Sequence, residues 1–105
     1  MQYVLLGQHT PDLCPTSNAK TRQRVEHMMT QLDAAQKTHN VSVLSGHVLG
    51  VSHRMVVIVE APTVEAVRAF AMDTGLVQWN SVEIDPSWGF EEAIQQANAL
   101  TPINW

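Results

Sequence analysis

The chain holds a single cysteine, Cys14, so no internal disulfide can form, which agrees with a reducing compartment. Basic residues are also scarce. Six Lys and Arg are spread along the chain and the formal net charge is −4. No basic stripe is left to neutralise phosphates, so nucleic acid is not an expected partner. Charged residues make up 15% of the sequence against 45% hydrophobic, a thin charged coat that implies a surface covered by a partner. Long apolar runs are missing as well. Val4 to Gly7 is far shorter than a signal or membrane-spanning segment, so no membrane association is expected and the expected location is the cytoplasm.

What remains fits one domain spanning 1–105, long enough to bury a core without staples. Gln2 to His9 is a compact apolar run closed by Thr10-Pro11-Asp12 and reads as a buried strand. Pro11, Pro15 and the small polar residues up to Asn18 make a long loop without regular structure. Ser17 or Asn18 can cap a helix whose Val25, Met28, Met29, Leu32 and Ala35 form one apolar stripe, ending near His39 and Asn40. Val41 to Leu49 and His53 to Ala61 read as a hairpin turned at Gly50 to Ser52. Thr63 caps a second helix with Val64, Val67, Phe70 and Ala71 on one face, and Gly75 stops it. Gln78 to Asp85 alternates as a last strand, and Asp85-Pro86-Ser87 launches a short helix carrying Phe90, Ile94 and Ala97. The irregular tail brings Trp105 to an interface.

Strand, helix, hairpin, helix, strand is the α+β ferredoxin-like βαββαβ order, which predicts a sheet ordered 4-1-3-2 with both helices on one face. The third strand does not alternate. Met55, Val57 and Val59 point one way and Val56 and Ile58 the other, while Tyr3, Leu5 and Val4, Leu6 repeat this in the first strand. Apolar residues on both faces predict a second sheet packed on the first, and hence a homodimer.

This pattern resembles the dimeric α+β barrel proteins, in which two ferredoxin-like chains pack sheet against sheet. The topology covers nearly the whole chain. Locally, Glu60-Ala61-Pro62-Thr63-Val64-Glu65-Ala66 and Val82-Glu83-Ile84 resemble the helix-and-strand unit of muconolactone isomerase-like small barrels. The resemblance implies a shape and a pocket; the superfamily spans isomerases, monooxygenases, haem-degrading and dehalogenating enzymes and ligand sensors, so it implies no one reaction.

With strands 1 and 3 read as parallel and strands 2 and 4 as opposite to them, the reactive residues fall on two edges. His9, Glu60, Trp79 and the loop bearing Asp12 and Cys14 share one edge; His47, His53 and Asp85 share the other. The first edge is the expected site of a cofactor-independent enzyme acting on a hydrophobic or aromatic metabolite. His9 serves as general acid or base, assisted by Cys14, Asp12 or Glu60, with the loop as a lid and Trp79 and Tyr3 contacting substrate. The alternative is a non-catalytic module that binds a small molecule or metal. No metal or other cofactor is expected: His9 with Cys14, and His47 with His53, are two-ligand sets on separate edges, and neither HxxxH nor CxxC occurs. The second helix lacks the histidine that the resemblance would require for haem, His27 lies off the first helix's stripe, and Met28, Met29, Met55 and Met72 read as core filler.

Overall fold

A computed structural model describes residues 1–103, so the expectation for Trp105 lies outside the described residues. The elements are β1 (Gln2–Gln8), α1 (Ala19–His39), β2 (Ser42–Leu49), β3 (Arg54–Glu60), α2 (Val64–Asp73), β4 (Ser81–Ser87) and α3 (Phe90–Asn98). The sheet is antiparallel and ordered β2-β3-β1-β4, the predicted 4-1-3-2 arrangement. No helix among the described residues is long and apolar enough to cross a membrane.

Local chemistry sets the element ends. Asn18 caps α1 by accepting the Thr21 N–H at 3.0 Å, and Asn40 closes it in the left-handed region at φ 54°, a conformation Asn tolerates better than most residues. Thr63 accepts the Ala66 N–H to start α2. Gly75, at φ 79°, then reverses the chain into a single 3-10 turn, Leu76–Gln78. That turn takes in Gln78, expected to begin the last strand, and β4 starts only at Ser81, so Trp79 precedes β4 rather than opening it. Likewise Asp85, Pro86 and Ser87 complete β4, an edge strand where a proline is tolerated, and Gly89 is the cap of α3.

The core lies between the sheet and α1 and α2. Leu5, Val59 and Val67 are fully buried there beside Phe70, Ala71 and Trp79, each large side chain contributing roughly 1.5–3 kcal/mol by leaving water. Met28 and Met55 pack against this core, whereas Met29 and Met72 are exposed, which corrects their reading as filler. β1 and β3 divide by parity. Tyr3 and Leu5 and their neighbours Val57 and Val59 join the core, while the cross-strand pairs Val4–Ile58 and Leu6–Val56 occupy the sheet's other face.

Strand direction differs from the expectation. β1 runs antiparallel to β3, with Gln2 opposite Glu60 and Gln8 opposite Arg54, so the end of β1 meets the start of β3. Physically, each crossover through a helix returns the chain in the same sense, and only the hairpin reverses it. β1 and β2 therefore run one way and β3 and β4 the other. One sheet edge consequently gathers His9, His53 and Trp79, and the opposite one Glu60 and Asp85.

Candidate functional site

Past Gln8 the chain leaves β1 at His9, whose N–H donates to the His53 carbonyl at 3.1 Å. His53 closes the hairpin turn in the left-handed region at φ 57°, a conformation that costs a non-glycine residue on the order of 1–3 kcal/mol and recurs at functional sites. This backbone bond fixes the two imidazoles edge to face, with ring centroids 5.4 Å apart.

The following loop is pinned, not free. Pro11–Leu13 forms a 3-10 turn capped by the Cys14 N–H on the Pro11 carbonyl, and Ser17 and Asn18 both donate backbone N–H groups to the Cys14 carbonyl. From α1, Arg22 donates to the carbonyls of Pro15 and Thr16 at 2.9 and 3.1 Å. This network corrects the expectation of irregular structure. It also buries Cys14 to 7% exposure under the loop. The ligating atoms of His9, Cys14 and His53 lie within 4.8 Å of one another, so residues expected on separate edges meet within one subunit.

Asn80 orients His9. Its side-chain NH2 donates to the Leu76 carbonyl at 3.2 Å, which leaves Oδ1 to accept from His9 Nδ1 at 3.1 Å. His9 Nδ1 therefore carries the proton and Nε2 keeps a lone pair. That Nε2, like His53 Nδ1, is buried without a hydrogen-bond partner, a costly state for any buried polar atom. The Cys14 thiol is held well below its ordinary value, at about 6. The largest cause is the Thr16 hydroxyl, 3.0 Å from Sγ, followed by the Thr16 backbone N–H and the His9 imidazole; burial opposes them, and His53 adds a smaller lowering contribution.

These groups form the polar end of a cavity of about 560 Å³ between the sheet and α1. Leu5, Val25, Met28, Leu32, Val57 and Phe70 make its apolar wall, and Trp79 closes it beside His9, with ring centroids 5.5 Å apart. Space for Met55 in this wall depends on Gly7, where a Cβ would stand 2.6 Å from Met55 Cγ.

Of the residues expected at the site, His9, Cys14 and Trp79 come together. Asp12 is exposed at the loop's outer turn, where its backbone carbonyl accepts from the Asn18 side chain. Glu60 lies at the opposite sheet edge, where it pairs with the Met1 amino group. Tyr3 is buried in the core and does not line the cavity, and His47 is exposed on β2. Asn80 and Thr16 were missed, and His53 was placed on the wrong edge. An Asn directly after a histidine-facing turn carries no motif, but correct strand directions would have brought His53 to His9. Comparison with known proteins returns no match: no family model fits the sequence, and no curated protein or solved structure is similar enough to lend a function.

Proposed function

We propose that the protein is a small enzyme that takes an apolar or aromatic metabolite into the cavity and attacks it with Cys14, His9 acting as acid and base. The observation that carries this reading is the relay at the cavity's polar end: Cys14 stands within 4.8 Å of the His9 imidazole, whose Nε2 has no partner and whose Nδ1 is fixed by Asn80. A nucleophile, a base and a group that orients the base are what nucleophilic catalysis needs. The apolar wall binds the body of the substrate, and Trp79 stacks on a planar one.

An activated aryl ester, p-nitrophenyl butyrate, probes this chemistry. The Cys14 thiolate adds to the acyl carbon, the ester C–O bond breaks with loss of p-nitrophenolate, and a thioester remains on Sγ. His9 Nε2 then takes a proton from the water that attacks the thioester, releasing butyrate and restoring the thiol. Wild type gives a burst of about one p-nitrophenolate per chain followed by turnover. His9→Ala keeps the burst, slowed, and loses the turnover. A wild-type rate no different from that of Cys14→Ala overturns the proposal.

The working form is a homodimer of the dimeric α+β barrel kind. On the sheet face away from the helices, Val4, Leu6, Val56 and Ile58 form an apolar square, flanked by Glu83 and Asp85 on β4 and by Ser45 and His47 on β2. An apolar centre with a polar rim is the anatomy of an interface, and a two-fold axis lying between the two faces and parallel to the strands sets the acidic side of one copy over His47 of the other. The C-terminal helix supports the same reading. α3 buries none of its residues and leaves Phe90 94% and Ile94 62% exposed. The chain's radius of gyration is 16.2 Å, against about 13 Å for a compact chain of this length. A second copy gives both surfaces a partner. Light scattering at low micromolar concentration returns twice the chain mass for wild type and the single mass for Val56→Glu; a wild-type monomer refutes the dimer.

A further inference from the structure

The relay leaves one buried group without a task. His53 spends backbone strain to hold an imidazole against His9 and Cys14, yet its Nδ1 has no partner. One nitrogen of each imidazole and the Cys14 thiol lie within 4.8 Å of one another and each ring carries an orphaned buried nitrogen, whereas carboxylates are absent from the cavity wall among the described residues. Hard cations such as Mg²⁺ and Ca²⁺ select oxygen donors, so this donor set does not suit them. Two nitrogens and one sulfur match a borderline-soft cation.

We propose that His9 Nε2, Cys14 Sγ and His53 bind a divalent cation of the zinc class, with a fourth coordination position open toward the apolar cavity. Bond lengths of about 2.0–2.1 Å to nitrogen and 2.3 Å to sulfur put the donors of a tetrahedral site of this kind roughly 3.3–3.6 Å apart. The present limit of 4.8 Å therefore closes with small side-chain rotations on a pinned loop. Three protein ligands and one open position is the pattern of reactive rather than purely structural zinc sites. Asn80 supplies the outer support that such a site requires, because its hydrogen bond to His9 Nδ1 selects the tautomer that presents Nε2 to the ion.

The inference shares the cavity of the proposed enzyme but not its chemistry. The cation takes the two groups the relay needs free, the His9 lone pair and the Cys14 sulfur. Loading and thiolate attack thus exclude each other, and their tests fail separately.

Cobalt(II), added to the purified full-length protein, serves as the spectroscopic probe, and zinc displaces it. A thiolate-to-cobalt charge-transfer band that saturates at one equivalent per chain is expected, and zinc abolishes it. Cys14→Ser loses the band. His53→Asn, which keeps a residue tolerant of the left-handed backbone, loses it too. Asn80→Ala keeps the band with affinity weakened about 10–100-fold. His39→Ala, on the surface beside Asp73, leaves it unchanged. One equivalent of zinc also suppresses the p-nitrophenolate burst. Failure of the band to form in wild type, or its survival in Cys14→Ser or His53→Asn, overturns the cation site whatever the burst shows. A burst that is absent from metal-free protein overturns the relay while the cobalt band stands.

Discussion

The two edges of the sheet are built from the same strands and behave oppositely. At one, the end of β1 and the starts of β3 and β4 bring His9, His53 and Asn80 under the Cys14 loop. At the other, the start of β1 and the ends of β3 and β4 bring the Met1 amino group to Glu60 in the open. Glu60 and the amino group satisfy one another at the surface, where solvent already satisfies them. His9 Nε2 and His53 Nδ1 are shut away from water and satisfy nothing within the protein. Ionisable groups occur at both edges, so charge does not distinguish them. What differs is the covering: the loop from Thr10 to Asn18 and the hairpin turn roof one edge, and the other is bare. Under that roof buried polar atoms lack partners and the Cys14 thiol is held low, the setting in which perturbed groups gather at functional sites.

The contrast can be broken most sharply through Asn80. Replacing it with Ala strips the partner from His9 Nδ1 and from the Leu76 carbonyl, so it costs about 1–3 kcal/mol in urea unfolding. A smaller effect of opposite sign is expected at His53. His53→Gly relieves the left-handed strain and stabilises the fold by about 1 kcal/mol, while removing a proposed ligand. If that variant is less stable than wild type, the strain is not held for function. The roofed edge also sets the acidity of Cys14. Its reaction with iodoacetamide rises with pH through a midpoint at about 6, because only the thiolate attacks. The Thr16 hydroxyl is the largest cause, so Thr16→Ala moves the midpoint upward further than His9→Ala does. The facing groups are Thr16, His9 and His53, and an unshifted midpoint in both Thr16→Ala and His9→Ala would falsify the assignment.

Most of the fold was legible in the chain, and the site only half so, for a reason that a few residues make plain. Apolar periodicity placed both main helices and the hairpin, because core packing against Val59 and Val67 dictates those positions. The doubled apolar pattern of Val56 to Val59 likewise marked apolar side chains on both faces of the sheet, where Val57 and Val59 join the core and Val56 and Ile58 pair with Leu6 and Val4 on the other face. Direction along the sheet is not written in any period. It follows from counting reversals, and one miscounted reversal sent His53 away from His9 and Glu60 toward it. Asn80 was hidden differently. Leu76-Val77-Gln78 has the composition of a strand, but Gly75 turns it into a 3-10 turn, and only that turn aims the Asn80 amide. Cys14 was found because it is alone; the main cause of its acidity, the Thr16 hydroxyl two residues on, carries no motif and was not.

The smallest effect is expected at the bare edge, and it is the control that gives the others meaning. Glu60→Gln removes the charge that meets the Met1 amino group, but both partners are largely exposed and an exposed pair contributes at most about 1 kcal/mol. Urea unfolding should change by less than that, and added salt should erase the change because mobile ions screen surface charges. The iodoacetamide profile of Cys14 should not move at all, since the length of the sheet separates Glu60 from the thiol. A shifted profile in Glu60→Gln would show that the two edges act on each other, and the division between a satisfied edge and a withheld one would have to be abandoned.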